Sequence, residues 1–229
     1  MKKIICTVML SLLMLSFNPN GLKAACPHCH QNHNPSYSPG SGYTSWMGFA
    51  QYPNALDSVV KKLSSLPEGK ELIERAMEQG PIAVRFQRGL SFPAFWETQQ
   101  RIIIIDPDQN PTEGTRLTCL AFELNNALND PYFQGLNERA LAGSISKNQY
   151  VEGIERMEHQ TGLKTQALLK KGVQQGLFPH DARQPTIENF EEHFRALQQT
   201  GHSRWIGDSY ERMRRNESHC ITDWRYHSS

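Results

Sequence analysis

The sequence lacks an excess of charge of either sign. Its 24 Lys and Arg residues and 23 Asp and Glu residues give a formal net charge of +1 with neutral histidines. Proteins that bind nucleic acids neutralise phosphates with a surplus of basic side chains, and this chain has no such surplus. We therefore expect no nucleic-acid partner.

The chain also lacks an apolar run long enough to span a bilayer, which takes about 20 residues in a helix. The run at residues 4–17 is shorter; it follows Lys2 and Lys3 and precedes a small-residue site at Ala24-Ala25. This pattern is typical of a secretory signal peptide. We therefore predict a signal peptide over residues 1–24, export to the periplasm or the medium, and no stable membrane span in the mature chain.

Cysteine is scarce, with five in the whole sequence, and Cys6 lies in the predicted signal peptide. An exported protein meets an oxidising compartment, in which the four remaining cysteines favour disulfides. The simplest of the three pairings joins Cys26 to Cys29 and Cys119 to Cys220.

Residues 25–45 are rich in Pro, Ser, Gly and Asn, so we predict a flexible segment rather than part of a core. The Cys-x-x-Cys pair is similar to a redox motif, but that motif follows a strand and opens a helix, which this context does not offer. Thiolates and imidazoles also bind zinc or copper, which makes the segment a candidate metal-binding arm. A disulfide-closed or disordered tail is the other interpretation. The candidate metal ligands are Cys26, Cys29, His30 and His33.

Residues 46–200 have the pattern of one folded domain. Apolar residues at helical spacing predict helices over residues 54–66 and 68–79. A strand is predicted at 82–86 and one or two strands between residues 95 and 106, where 102–105 have the strongest β pattern. An embedded helix follows the strands. This order predicts an α+β fold in which a small antiparallel sheet packs on helices.

Residues 115–129 are predicted to lie in the embedded helix and carry a buried apolar stripe at three-and-four spacing. Asn110 and Pro111 are typical of its start, and Pro131 of its end. A capping box at Ser146 predicts the next helix, which we expect to be interrupted at Gly162. A further helix follows, and residues 201–229 are expected to form a tail packed on the domain through Trp205, Tyr210 and Trp224.

The segment LAFELNNA at residues 120–127, followed some thirty residues later by IERMEH, resembles the minimal core of zincin metallopeptidases, particularly small bacterial secreted or effector types. The motif helix of that family reads LAHELxHA: both histidines of HExxH bind zinc, the Glu is the general base, and a downstream residue is the third ligand. Glu123 matches the general base. Phe122 and Asn126 stand at the histidine positions, so the resemblance implies a zincin-like core without the ordinary zinc site.

Glu123 is thus the candidate catalytic residue. A carboxylate on a buried helix costs several kcal/mol unless it is paired or hydrogen-bonded. It could belong to a polar network that fastens two helices. Alternatively, it could face a cleft together with the candidate binding residues Asn126, Glu155, Glu158 and His159.

Three functions remain open at this stage. The favoured one is a catalytically degenerate zincin-like protein, without a cofactor, that binds a protein or peptide partner outside the cytoplasm. The second is a hydrolase of peptide or glycosidic bonds with Glu123 as base and Glu155 or Glu158 as acid. The third is a metal-handling protein that uses the N-terminal arm, with zinc or copper as the candidate ion.

Overall fold

The computed structural model describes residues 54–215, in which helices predominate and a small sheet packs against them. This confirms the predicted α+β class. The elements are α1 (Asn54–Ser64), α2 (Pro67–Met77), β1 (Ala83–Phe86), β2 (Ala94–Glu97), β3 (Ile102–Ile105), α3 (Glu113–Leu141), α4 (Lys147–Gln174), α5 (Phe190–Thr200) and α6 (His202–Arg214).

The three strands form a mixed sheet in the order β1-β3-β2. β2 is antiparallel to β3, but β1 is parallel to it, so the prediction of a wholly antiparallel sheet is wrong for that pair. The reason is the connection: β2 lies at the far edge, and the chain then returns to the centre running in the direction of β1. Ile103 and Ile105 enter the main core, while Ile104 packs with Phe92 and Phe95 on the other face. Burial on both faces explains the continuous isoleucine run.

Helix α3 begins two residues later than the Asn-Pro signal indicated. Thr112 is the N-cap, and its hydroxyl accepts a hydrogen bond from the Thr115 backbone N–H in a capping box. Asn110 has a different role: its amide nitrogen donates to the backbone oxygens of Pro93 (2.8 Å) and Asp106 (2.9 Å). This buried side chain therefore ties the start of α3 to the end of the sheet.

The prediction that this helix ends at Pro131 is wrong, because α3 continues to Leu141 with the proline inside it. A proline in a helix interior costs about 3 kcal/mol. Phe133 and Leu136 continue the buried face beyond it, and each such side chain contributes about 1.5–3 kcal/mol on burial. Tertiary packing therefore outweighs the local penalty.

Helix α4 starts as predicted, with a capping box between Ser146 and Gln149. It runs without a break through Gly162, where an interruption was expected. A Cβ at Gly162 would lie 2.8 Å from the Thr186 hydroxyl. The glycine thus permits close packing of the segment between α4 and α5 and does not end the helix.

Gly201 separates α5 from α6 in a left-handed conformation (φ +87°), which glycine adopts without a steric penalty. α6 then packs on α3 and α4, and Trp205 and Tyr210 pack on an apolar cluster that includes Phe133 and Tyr150. These two aromatic residues hold the segment on the domain as predicted.

Several predictions concern residues outside 54–215: the signal peptide, the N-terminal arm, Cys220 and Trp224. The pairing of Cys119 with Cys220 therefore stays a prediction; Cys119 is buried, and its thiol donates to Asn110 Oδ1 (3.1 Å). Within the described part of the chain, no helix has both the length and the apolar character that crossing a membrane requires.

Candidate metal centre

Helix α3 places Glu123 and Asn126 three residues apart, so both side chains lie on the same face. Both are almost fully buried, and Asn126 Nδ2 donates to Glu123 Oε2 (3.0 Å). The neighbouring amides bridge to α4: Asn125 donates to Thr165 (3.2 Å), and Asn129 donates to Thr161 (2.8 Å). Asn125 and Asn129 therefore fasten α3 to α4, whereas the hydrogen bond between Asn126 and Glu123 lies within α3, so the role of Glu123 in such a network stays a prediction.

Helix α4 repeats the same spacing with Glu155 and Glu158, and α6 brings His202 and Ser203 against them. His202 Nδ1 lies 3.1 Å from Glu155 Oε1, which also accepts a hydrogen bond from the Ser203 hydroxyl (2.7 Å). On the other side of the ring, His202 Nε2 lies 3.6 Å from Glu158 Oε2. Glu155, Glu158 and His202, which we call the triad, each place a potential ligand atom within 4.8 Å of the other two.

The hydrogen bonds of His202 identify its tautomer when the ring is neutral. A carboxylate oxygen only accepts, so Nδ1 carries the proton that is donated to Glu155. The lone pair then lies on Nε2, on the side of Glu158. A histidine whose second ring nitrogen donates to a carboxylate is the usual arrangement of a metal ligand.

Several buried polar atoms around the triad lack hydrogen bonds. Among residues 54–215, this holds for Glu155 Oε2, Glu158 Oε1, His202 Nε2 and Asn126 Oδ1. An unsatisfied buried polar group costs about 1–3 kcal/mol, and a charged one costs more. A cation between the three side chains of the triad would satisfy three of these four atoms.

The electrostatics of the triad favour retained protons when no cation is bound. Burial raises the pKa of Glu158 to about 8; the charge of His202 opposes this rise, and those of Glu155 and Glu123 add to it. Burial alone would lower the pKa of His202, but Glu158 and Glu155 attract its proton, and the net direction is upward. A metal ion at this place would therefore compete with protons.

The predicted site residues separate into two groups. Glu123, Asn126, Glu155 and Glu158 lie in the same buried region, where the charge of Glu123 affects the pKa of Glu158. His159 does not join them through a hydrogen bond: its Nε2 lies 2.8 Å from the Ile187 carbonyl oxygen.

The sequence did not indicate His202 or Ser203, because both lie in the segment assigned to the C-terminal tail. Neither residue has a local spacing relation to Glu155, 47 and 48 positions earlier. The sequence did contain one indication of this site, the pair Glu155 and Glu158 on one helical face. Two neighbouring carboxylates on a buried face need a cationic or metal partner from elsewhere in the fold.

A cavity of about 300 Å³ also lies against α3 and α4, and no member of the triad lines it. Its lining residues are Tyr132, Leu136, Arg139, Ile145, Gln149, Glu152, Gly153 and Arg156.

Comparisons with protein-family models, with curated proteins and with solved structures found no match to this chain.

Proposed function

We propose that this domain binds a divalent metal ion through Glu155, Glu158 and His202. The observation that carries this proposal is the buried group of three potential ligand atoms within 4.8 Å of one another. Two carboxylate oxygens and His202 Nε2 in this group have no hydrogen-bond partner among the described residues. Two carboxylates and one imidazole would also balance the charge of a divalent cation.

The donor atoms suit a first-row divalent ion such as Zn²⁺, Mn²⁺ or Fe²⁺, because these ions accept carboxylate oxygen and imidazole nitrogen as ligands. Metal–ligand bonds of about 2.0–2.2 Å place two ligand atoms of a tetrahedral site roughly 3.3–3.6 Å apart. The three potential ligand atoms lie within 4.8 Å of one another, so the most distant of them would have to approach by up to about 1 Å to bind a common ion. Side-chain rotations on α4 and α6 would have to supply this approach.

The burial of the triad favours a structural ion over a catalytic one. Each of its three side chains is at most 7 % exposed, whereas a catalytic ion keeps one coordination position open to substrate. Two ligands come from α4 and one from α6, so the ion would join these helices. The resemblance to zincins and the role in binding a peptide or protein stay predictions. The hydrolase role of Glu123 also stays a prediction, and it would require an opening that exposes this buried carboxylate.

Metal analysis of the mature full-length chain tests this proposal. After chelator treatment, reloading with Zn²⁺ or Mn²⁺ and removal of free ion, we expect about one tightly held ion per chain in a background of Cys26→Ser and Cys29→Ser. Glu155→Gln and His202→Gln should lose it. Glu152→Gln changes an exposed carboxylate on the same helix and should retain it.

Two outcomes would refute the triad as a metal site. One is a background protein that holds no ion after reloading although it is folded. The other is undiminished binding in both triad variants, which would place the ion elsewhere in the chain.

A further inference from the structure

A second pair of potential ligands lies next to the triad. His159 follows Glu155 by four residues on α4, so the two side chains lie on the same face, one turn apart. His193 on α5 approaches from the other side, and its ring centroid is 4.9 Å from that of His159. His159 is buried, whereas His193 is only half-buried and thus reaches the surface.

The hydrogen bond of His159 leaves one nitrogen available. A backbone carbonyl only accepts, so the ring nitrogen that contacts Ile187, Nε2, carries the proton. Nδ1 then holds the lone pair, and it has no hydrogen-bond partner among residues 54–215. Donation from one ring nitrogen to a backbone carbonyl orients many metal-binding histidines.

The distance between the rings suits a shared ion. Imidazole nitrogens at about 2.0–2.1 Å from a tetrahedral zinc ion place the centroids of two ligating rings roughly 5 Å apart. The two rings are tilted by 44° to each other and are not stacked in parallel. A parallel stack would instead point the nitrogens away from a common position.

The pair lies close to the triad. His159 is one helical turn after Glu155 on α4, and Glu155 Oε2 has no hydrogen-bond partner among the described residues. His193 is half-buried, whereas His159 and Glu155 are buried, so the three side chains extend from the surface towards the interior. In the described part of the chain, the ligand atoms of Glu155, His159 and His193 do not all lie within 4.8 Å of one another, so transfer of an ion along them would require side-chain movement.

We propose that His193 and His159 form an outer metal-binding site, which captures a divalent ion from solvent and passes it to the triad. This inference rests on the proposed function of the triad. A fully enclosed site needs a route for its ion, and ligand exchange between neighbouring side chains avoids a step in which a bare ion crosses the protein interior.

Aromatic packing is the competing explanation of this pair. His159 also contacts Phe190 edge-on, and Phe190 stacks on Phe194. His193→Phe distinguishes the two explanations, because it keeps an aromatic ring at the position and removes the ligand atoms. His180→Phe makes the same chemical change at an exposed position away from the cluster and is the matched control.

The test is the rate of Zn²⁺ uptake by the mature full-length chain carrying Cys26→Ser and Cys29→Ser. Metal-free protein is mixed with a zinc–dye complex, and release of the dye is followed in time. His193→Phe should slow uptake by about tenfold or more and leave the final amount of bound zinc unchanged. His180→Phe should change neither quantity, and His193→Gln repeats the test if the phenylalanine variant does not fold.

Uptake by His193→Phe at the background rate would overturn the outer site and leave the triad unaffected. Loss of bound zinc in the same variant would also overturn it, because His193 would then be a ligand of the final site. If the background protein takes up no zinc at all, the proposed function itself fails. These results are distinguishable from one another.

Discussion

The buried carboxylates and imidazole of the triad retain protons, which makes the stability of the metal-free protein depend on pH. Glu158 has a folded-state pKa of about 8 against an ordinary value of 4.5, and the pKa of His202 is also raised. Between pH 4.5 and pH 8, the two pKa values of Glu158, the folded protein therefore binds more protons than the unfolded chain. Stability therefore falls as pH rises.

We predict that the metal-free protein loses stability steadily from about pH 4.5 to pH 8. Urea unfolding in the presence of chelator measures this slope directly. Glu158→Gln removes the main titrating group and should flatten the slope, while the exposed Glu192→Gln should not. A metal-free protein whose stability rises over this interval would contradict the assignment of retained protons to the triad.

Glu123 provides a second prediction for single residues. Its carboxylate accepts a hydrogen bond from Asn126, and bonds to a charged group are worth about 1.5–3 kcal/mol. We expect Asn126→Ala to reduce the free energy of unfolding by about that amount. Asn129→Ala removes a bond between neutral groups and should cost about 1 kcal/mol. Equal losses in the two variants, measured by urea unfolding, would show that Glu123 does not depend on this amide.

At the scale of the helices and strands, the sequence predicted the features that depend on residues close together in the chain. The capping box at Ser146 and the apolar spacing of the helices depend on neighbouring residues, and both are confirmed. Pro131 and Gly162 also have local rules, but packing overrides them in α3 and α4. The buried side chains of Phe133 and Leu136 continue α3 beyond Pro131, and Gly162 lies against Thr186; a single sequence reveals neither contact.

Pro131 therefore destabilises α3 locally, and its replacement should stabilise the protein. The residue is exposed in the middle of a 29-residue helix. Pro131→Ala restores a backbone donor, and we expect a gain of about 1–3 kcal/mol. A change of zero or a loss in urea unfolding would indicate that the proline is required for the bend or packing of α3.

Replacement of Gly201 should instead destabilise the protein. Its left-handed conformation sets the direction in which α6 leaves α5, and His202 is the first residue of α6. Gly201→Ala should cost about 1–2 kcal/mol and weaken metal binding by the triad. Gly135→Ala is a suitable control, since a Cβ there meets no atom within 4 Å and its φ is ordinary; we expect it to be neutral or slightly stabilising. Unfolding and metal titration of the two variants test this difference, and identical behaviour would contradict the role of Gly201.

At the scale of the whole molecule, the fold class followed from the order of elements, whereas the site did not. Glu155 and Glu158 are adjacent on one helix and could be recognised as a pair. Their partner His202 reaches them only because Ile206 and neighbouring residues of α6 pack on α3 and α4. A contact that depends on the docking of three helices has no signature in local spacing, and the resemblance to zincins directed attention to Phe122 and Asn126 instead.

The most direct test of the central claim is X-ray absorption at the zinc edge for the zinc-loaded mature chain with all its cysteines. Ligation by the triad predicts a first shell of oxygen and nitrogen at about 2.0–2.2 Å, with an imidazole contribution that is lost in His202→Gln. A sulfur shell at about 2.3 Å without an imidazole contribution that depends on His202 would place the ion on Cys26 and Cys29 of the N-terminal arm and would contradict a metal centre between α4 and α6.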